Sequence, residues 1–302
     1  MDKEGNFNAA FYIYVYSGIL ILILLVAFKN KAQSFRKLSR LPPSFLIKTG
    51  IFFILNNVLL LLAVGIARKN EELVIVTLLN YTWPIMIYVI GIPLLKLKIP
   101  AKAIVPGIVL SFTGISLALL QGYTSEGIGR LIRAGDDNIL AYLLAFMTSV
   151  SWAVYTNLTA KYKSRDDLAG IPFVFLISGM IFLLIQGMNG QLSSIHLAAP
   201  LYNPALLYMI AGPTSLGYLA WYYAMKRGNK NLVTSFSFFI PLLSLLIIHF
   251  RFEIPITLLF WLAVSFLVTG SYLCYRSFRR STFAGTVNPG SDNPFRTPDD
   301  IV

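Results

Sequence analysis

The sequence predicts an all-α polytopic membrane protein, an inverted repeat of five-helix units with nine spans in this chain. Three observations carry that prediction. Of its 302 residues 56% are hydrophobic and only 13% charged, too little charge for a soluble domain of this length. The charge is gathered between apolar runs of about 20 residues, each able to cross a ~30 Å hydrocarbon core at 1.5 Å per residue. Finally, a pattern in the first half of the chain recurs in the second.

The expected spans are 9–28, 44–67, 73–95, 101–121, 139–160, 170–188, 203–225, 231–249 and 254–275. The first comes after an acidic start and lacks a small-residue cleavage pattern, so it is expected to stay as a helix rather than be removed. Residues 1–121 make a first, incomplete repeat of four helices, 122–138 an external linker, and 139–275 a second repeat of five. The tail, 276–302, is rich in Ser, Pro, Gly and Asp and is expected to be disordered and cytoplasmic. The lone cysteine, Cys274, excludes an internal disulfide and any cysteine-based metal cage.

A net charge of +12 raises the question of nucleic acid. Its distribution answers it. One alternate set of loops holds most of the basic residues, among them Lys29, Lys31, Arg36, Lys37, Lys96, Lys98, Lys161, Lys163, Lys226 and Arg227. The other set holds only Lys3, Arg68, Lys69, Arg130, Arg133 and Arg251. This is the positive-inside bias, which places the amino terminus outside and the carboxyl terminus in the cytoplasm. The basic charge reports topology, and no nucleic-acid partner is expected.

The repeat is visible in TLLNYTWP from Thr77 and TSFSFFIP from Thr234. In each, a threonine precedes a mid-span proline by seven residues, a basic and amide-rich cluster comes before, and a loop ending in Ile-Pro comes after. The charge rule sends the Thr77 helix in from outside and the Thr234 helix in from inside, so the two halves are inverted, as in many secondary transporters. The first half lacks a counterpart of span 139–160, which would precede Phe7.

Polar residues in hydrocarbon are costly, so their alignment on helix faces is informative. Thr77, Tyr81, Pro84 and Tyr88 share a face, with Asn80 beside them; so do Thr148, Trp152, Tyr155 and Thr159. Span 203–225 offers Thr214, Tyr218, Trp221 and Tyr222, and the Thr234 helix offers Thr234, Ser237, Pro241 and Ser244. Asn56 and Asn57 sit at the middle of span 44–67. Each stripe alone reads equally as helix packing or an interfacial belt. Trp83 and Trp152, however, lie too deep for a belt, and four such faces suggest a shared central cavity.

Pro84 removes a backbone donor and frees the carbonyl of Asn80; Pro241 does the same to Ser237. Both are expected hinges, and the freed carbonyls could face a substrate ammonium or simply mark a kink. No Asp or Glu falls within the nine spans, and His249, His196 and Lys48 lie at span ends or in loops. That excludes the acid, base or metal sets of an intramembrane enzyme and argues against cation or metal transport. No cofactor is expected. The cavity suits a neutral or zwitterionic aromatic solute.

The segments Asn80-Tyr-Thr-Trp-Pro84, Val105-Pro-Gly-Ile-Val-Leu-Ser-Phe-Thr-Gly114, Ala141 to Tyr155 with its Ser-Trp-Ala-Val-Tyr ending, Ala160-Lys-Tyr162 and Gly217-Tyr-Leu-Ala-Trp221 occur in order. Together they resemble the EamA-type aromatic amino acid exporters of the drug/metabolite transporter superfamily, over about Ala9 to Tyr275. The resemblance implies ten helices in two inverted repeats and a cavity formed by the helices holding Asn57, Asn80, Trp152, Trp221 and Ser237. It implies export of phenylalanine, tyrosine and tryptophan across the bacterial inner membrane, with no enzymatic activity. On this reading Trp83, Trp152, Tyr155, Tyr218 and Trp221 contact the ring, Tyr81 and Tyr222 line the same faces, and Asn57, Asn80 and Ser237 meet the ammonium and carboxylate. The partners expected are the lipid bilayer and the small-molecule substrate, with the chain a monomer; the alternative is another amino acid, a neutral metabolite or a drug. Two departures stand out: the family's first helix has no counterpart, and an acidic residue that some members carry near Asn57 is missing.

Overall fold

The computed structural model describes residues 5–28, 43–94, 99–120, 125–134, 138–161, 170–190, 192–228, 230–240, 242–243, 246–247, 250 and 258–285. All regular structure among them is helical. The main elements are α1 (Gly5–Phe28), α2 (Pro43–Ile66), α3 (Asn70–Asn80), α4 (Trp83–Leu94), α5 (Ala101–Leu119), α6 (Ser125–Ala134), α7 (Ile139–Lys161) and α8 (Ile171–Met188). They continue as α9 (Pro204–Met209), a π-helical segment Ile210–Gly217, α10 (Tyr218–Arg227), α11 (Lys230–Ser237) and α12 (Leu258–Gly285).

Seven stretches of described residues are long and apolar enough to cross a membrane: Asn8–Ala27, Ile47–Ile66, Asn70–Leu94, Ala101–Ala118, Ile139–Thr159, Ile171–Met188 and Leu258–Ser277. They fall on seven of the expected spans. The expected 203–225 is a continuous run of helical turns from α9 through α10, broken in type by the π segment. The expected 231–249 opens as α11, and part of it, Pro241 and Ser244 included, lies outside the described residues.

Local chemistry explains several ends. Asn203 caps α9, its side-chain oxygen accepting from the Ala205 and Leu206 amides at 3.0 and 3.2 Å, with Pro204 in the first turn. Gly190, at φ 71°, lets the chain leave α8 in the left-handed conformation. Asn138 ties three helix ends together. Its carboxamide accepts from the Ala141 amide at the start of α7, and donates to the Ile66 carbonyl at the end of α2 and to the buried Glu72 carboxylate in α3.

Three boundaries differ from the sequence reading. The span 73–95 is two helices, because the chain turns at Tyr81 and Thr82. The Thr82 amide donates to the Leu79 carbonyl at 3.2 Å, and the ladder resumes with Met86 to Thr82 at 3.0 Å. The aligned residues of the Thr234 segment do the same: Phe239 donates to Phe236 at 3.0 Å and Leu243 to Phe239 at 2.9 Å. The linker 122–138 contains helix α6, held to α3 by Arg130 and Glu71 at 3.2 Å. The tail does not begin at 276: α12 runs to Gly285, its Ser277 hydroxyl anchored on the Ala103 carbonyl of α5 at 2.6 Å.

The packing is dominated by three long helix pairs, α1 on α8, α2 on α7 and α5 on α12. In lipid such pairs gain little from apolar burial and depend on close contact. The α5–α12 pair shows it most sharply. A Cβ on Gly270 would lie 2.5 Å from the Ser111 amide nitrogen and 2.8 Å from the Gly107 carbonyl oxygen. Backbone is the obstacle on both sides, so the helices would have to separate. Gly270→Val is therefore expected to destabilise the protein by about 1–3 kcal/mol, the range for overpacking a filled interface. Thermal unfolding in detergent measures it, and Gly65→Ala, where nothing lies within 4 Å, is expected not to lower the midpoint.

Candidate functional site

At the level of the α3–α4 break a cavity of about 300 Å³ opens between the two halves of the chain. That is the lower end of the range for small-molecule sites. The turn at Tyr81 and Thr82 delivers Asn80 and Trp83 to its wall, from the end of α3 and the start of α4. The lining also includes Trp152 of α7, Tyr218 and Trp221 of α10, and Asn56 and Leu60 of α2. Pro213 and Gly217 of the π segment and Ile240 complete the lining. No charged side chain is among these residues.

Three indoles from three helices meet there. Trp83 lies 6.2 Å from Trp152 and 5.5 Å from Trp221, nearly perpendicular to both, and Trp152 lies 6.0 Å from Trp221. Edge-to-face contacts of this kind put the positive ring edge on the negative ring face. Behind them, Phe53 and Phe175 support Tyr218 edge-on at 5.4 and 5.2 Å, and Tyr218 in turn meets Trp152 at 5.7 Å. The cavity wall is therefore an aromatic cluster with a buried aromatic foundation.

Most polar groups in the stripes are spent on the helices themselves. The hydroxyls of Thr77 and Thr148 bond the carbonyls of Leu73 and Leu144, at 2.7 and 3.0 Å, and Thr159 bonds Tyr155. Tyr88 is buried against Ser235, oxygen to oxygen 2.6 Å. The carbonyl of Asn80, freed by Pro84, is not offered to a ligand: the Ser149 hydroxyl of α7 stands 2.7 Å from it and 2.7 Å from the Leu79 carbonyl, donating to the pair. The kink is satisfied by protein. On the cavity wall, the Asn80 side chain, the Tyr218 phenol and the three indole N–H groups have no hydrogen-bond partner among the described residues.

Of the ten residues expected to bind substrate, Asn80, Trp83, Trp152, Tyr218 and Trp221 border the cavity. The other five lie elsewhere. Asn57 is buried and bonded to Tyr14 of α1 and to the Phe53 carbonyl. Tyr81 packs on the core between α4, α5 and α12. Tyr155 sits edge-on to Phe53 at 5.3 Å, Tyr222 against Tyr223 at 5.6 Å, and the buried Ser237 bonds the Thr234 carbonyl. Of the expected hinges, Pro84 is buried at the start of α4, and Pro241 lies outside the described residues.

Residues 139–276 match the EamA-like transporter family. The chain is 28% identical to the aromatic amino acid exporter YddG of Salmonella typhimurium over 91% of its own length and 89% of that protein. It is 26% identical to the aromatic amino acid exporter YddG of Escherichia coli over the same shares. An uncharacterized transporter of Bacillus subtilis, YvbV, is 29% identical over half of the chain and 47% of that protein. A solved crystal structure, 19% identical, matches in fold with a TM-score of 0.69 over 91% of this chain and 89% of its own. With seven helices among the described residues long and apolar enough to cross a membrane, the chain is a multi-pass membrane protein similar to transporters.

The matched region, 139–276, supplies Trp152, Pro213, Gly217, Tyr218, Trp221 and Ile240 to the cavity, and the first half supplies the rest. Asn56, Leu60, Pro213, Gly217 and Ile240 escaped the sequence reading as site residues. For Asn56 a signal existed: Asn57 falls one helical turn from Phe53, on the aromatic packing face, which leaves Asn56 to the other. Ser149 was also missed, and its role is structural. Ser149→Ala strands a buried carbonyl in hydrocarbon and is expected to cost about 1–3 kcal/mol, read as a lowered unfolding midpoint in detergent.

Proposed function

We propose that this protein exports aromatic amino acids from the cytoplasm by alternating access, with the indole-lined cavity as its substrate site. The observation that carries the reading is the meeting of Trp83, Trp152 and Trp221, from three helices, on the wall of an uncharged cavity. An aromatic side chain stacks well on such a surface, and a zwitterion asks for neutral hydrogen-bonding groups rather than a counter-ion. Similarity to two exporters named for aromatic amino acids, over nine-tenths of the chain, supports the same substrate class.

The membrane is the bacterial inner membrane, and the basic loops put the carboxyl terminus in the cytoplasm. The two halves rock about the helix breaks at Tyr81–Thr82 and Phe238–Phe239, and the chain works as a monomer. A second reading keeps the architecture and changes the solute to another amino acid, a neutral metabolite or a drug. The small cavity, about 300 Å³, favours an amino acid over a large drug.

Trp152→Ala is expected to raise the KM for tryptophan efflux about fivefold or more, since one lost ring contact removes about 0.5–1.5 kcal/mol beyond the buried area. Trp261→Ala is the control, its indole being 59% exposed on α12; efflux is expected to be unchanged. Unaltered transport by Trp152→Ala at equal expression would remove the cavity from the mechanism. Competition over a panel of amino acids decides between the two solute classes: phenylalanine, tyrosine and tryptophan compete, and aliphatic and acidic ones do not.

A further inference from the structure

We propose that Asn56 recognises the ammonium group of the solute, and that Tyr14 and Asn57 act as positioning residues that turn its carboxamide oxygen into the cavity. The proposal rests on the transport reading above and concerns the polar end of the same solute.

Counting donors and acceptors orients the amides. The Asn57 side chain stands 3.0 Å from the Phe53 carbonyl, and only its NH₂ can face that oxygen. Its own oxygen therefore points the other way, where it accepts from the Tyr14 hydroxyl at 2.7 Å. The same oxygen lies 3.2 Å from the Asn56 side chain, so Asn56 must present its NH₂ there as well. That leaves the Asn56 oxygen. It has no hydrogen-bond partner among the described residues, and Asn56 borders the cavity. Consecutive residues on a helix point about 100° apart, so Asn57 can face Tyr14 on α1 while Asn56, in line with Leu60, faces the solute.

A carboxamide oxygen accepts and never donates. Of the two charged groups on an amino acid it binds the ammonium and disfavours the carboxylate. The donors on the remaining wall, the indole N–H groups, the Tyr218 phenol and the Asn80 amide, suit the carboxylate. The cavity thus separates the poles of a zwitterion without a formal charge of its own, and Asn56 marks the cationic end.

The test uses the purified full chain in liposomes, with L-tryptophan, tryptamine (ammonium without carboxylate) and indole-3-propionate (carboxylate without ammonium) as competing solutes. The unsubstituted protein is expected to bind indole-3-propionate about tenfold or more weakly than tryptophan. Asn56→Leu is expected to raise the KM for tryptophan and the inhibition constant of tryptamine about tenfold or more, and to leave indole-3-propionate unchanged. Asn56→Asp, which keeps the acceptor, retains tryptamine binding. Tyr14→Phe keeps the ring contacts with Phe175 and Phe182 and removes the hydroxyl alone; it shifts KM in the same selective way with kcat unmoved. Unfolding midpoints check that each variant is folded.

Equal weakening of all three solutes by Asn56→Leu or Tyr14→Phe would show a structural role and overturn the proposal. So would an unsubstituted protein that holds indole-3-propionate as tightly as tryptophan. Leucine and its deaminated counterpart, 4-methylvalerate, separate this proposal from the reading beneath it. A protein that moves leucine and rejects both 4-methylvalerate and tryptophan keeps the role of Asn56 and loses the aromatic substrate class.

Discussion

One constraint shapes most of the polar groups among the described residues: in hydrocarbon, a hydrogen-bonding group without a partner is expensive. The helices meet it first by bonding their own backbones. Their side chains then turn inward onto carbonyls of the same helix, as Thr77, Thr148, Ser178 and Ser116 do. A few reach across. Asn157 of α7 donates to the Ile87 carbonyl of α4 and to Ala153 of its own helix, both at 2.9 Å. Ser149 does similar service at the α3 end. A few buried groups away from the cavity, Ser111, Thr156 and Ser271 among them, have no partner among the described residues; the donors and acceptors on the cavity wall differ in lying together among the indoles.

The helix breaks serve the same constraint while shaping the cavity. At Tyr81–Thr82 the main chain loses a bond to Pro84 and recovers it from Ser149 and from a tighter turn. The Thr234 segment makes the same pair of backbone bonds at its aligned residues. Equivalent backbone geometry then carries unequal side chains. The Thr77 segment brings Asn80 and Trp83 to the cavity, and the Thr234 segment brings Ile240 while Ser237 turns back on its own helix. Trp152, Tyr218 and Trp221 complete the aromatic wall from other helices, so the two aligned segments contribute unequally to it.

How much of this was legible in the sequence depends on which forces act one residue at a time. Spans are set by the thickness of the hydrocarbon layer, a length that composition alone reveals, and seven of them stand as read. Faces are harder. Spacing by three and four residues identifies residues that share a side, as with Trp152 and Tyr155, but it does not say which part of that side meets a neighbour. Phe53 contacts both, Tyr155 at 5.3 Å and Trp152 at 6.5 Å, yet of the two Trp152 borders the cavity. Across the wider turn of the π segment, Pro213 and Gly217 join Tyr218 and Trp221 on the wall, where spacing offered Thr214 and Tyr222. Satisfaction across helices was invisible too. Nothing in the local sequence of Pro84 points to Ser149, on another helix far along the chain, as the donor for the carbonyl it frees.

An uncharged cavity also bears on energetics. Moving one elementary charge across a membrane against 100 mV costs about 2.3 kcal/mol, and a fixed carboxylate in the path would carry such a charge through each conformational cycle. Among the described residues none lines this cavity. Under the proposed function the solute is a zwitterion of zero net charge, so neither the empty nor the loaded site does electrical work in reorienting. On that reading the membrane potential does no work on this cavity or its solute. Neutral hydrogen bonds and ring stacking, rather than a counter-ion, would then be what holds the solute there.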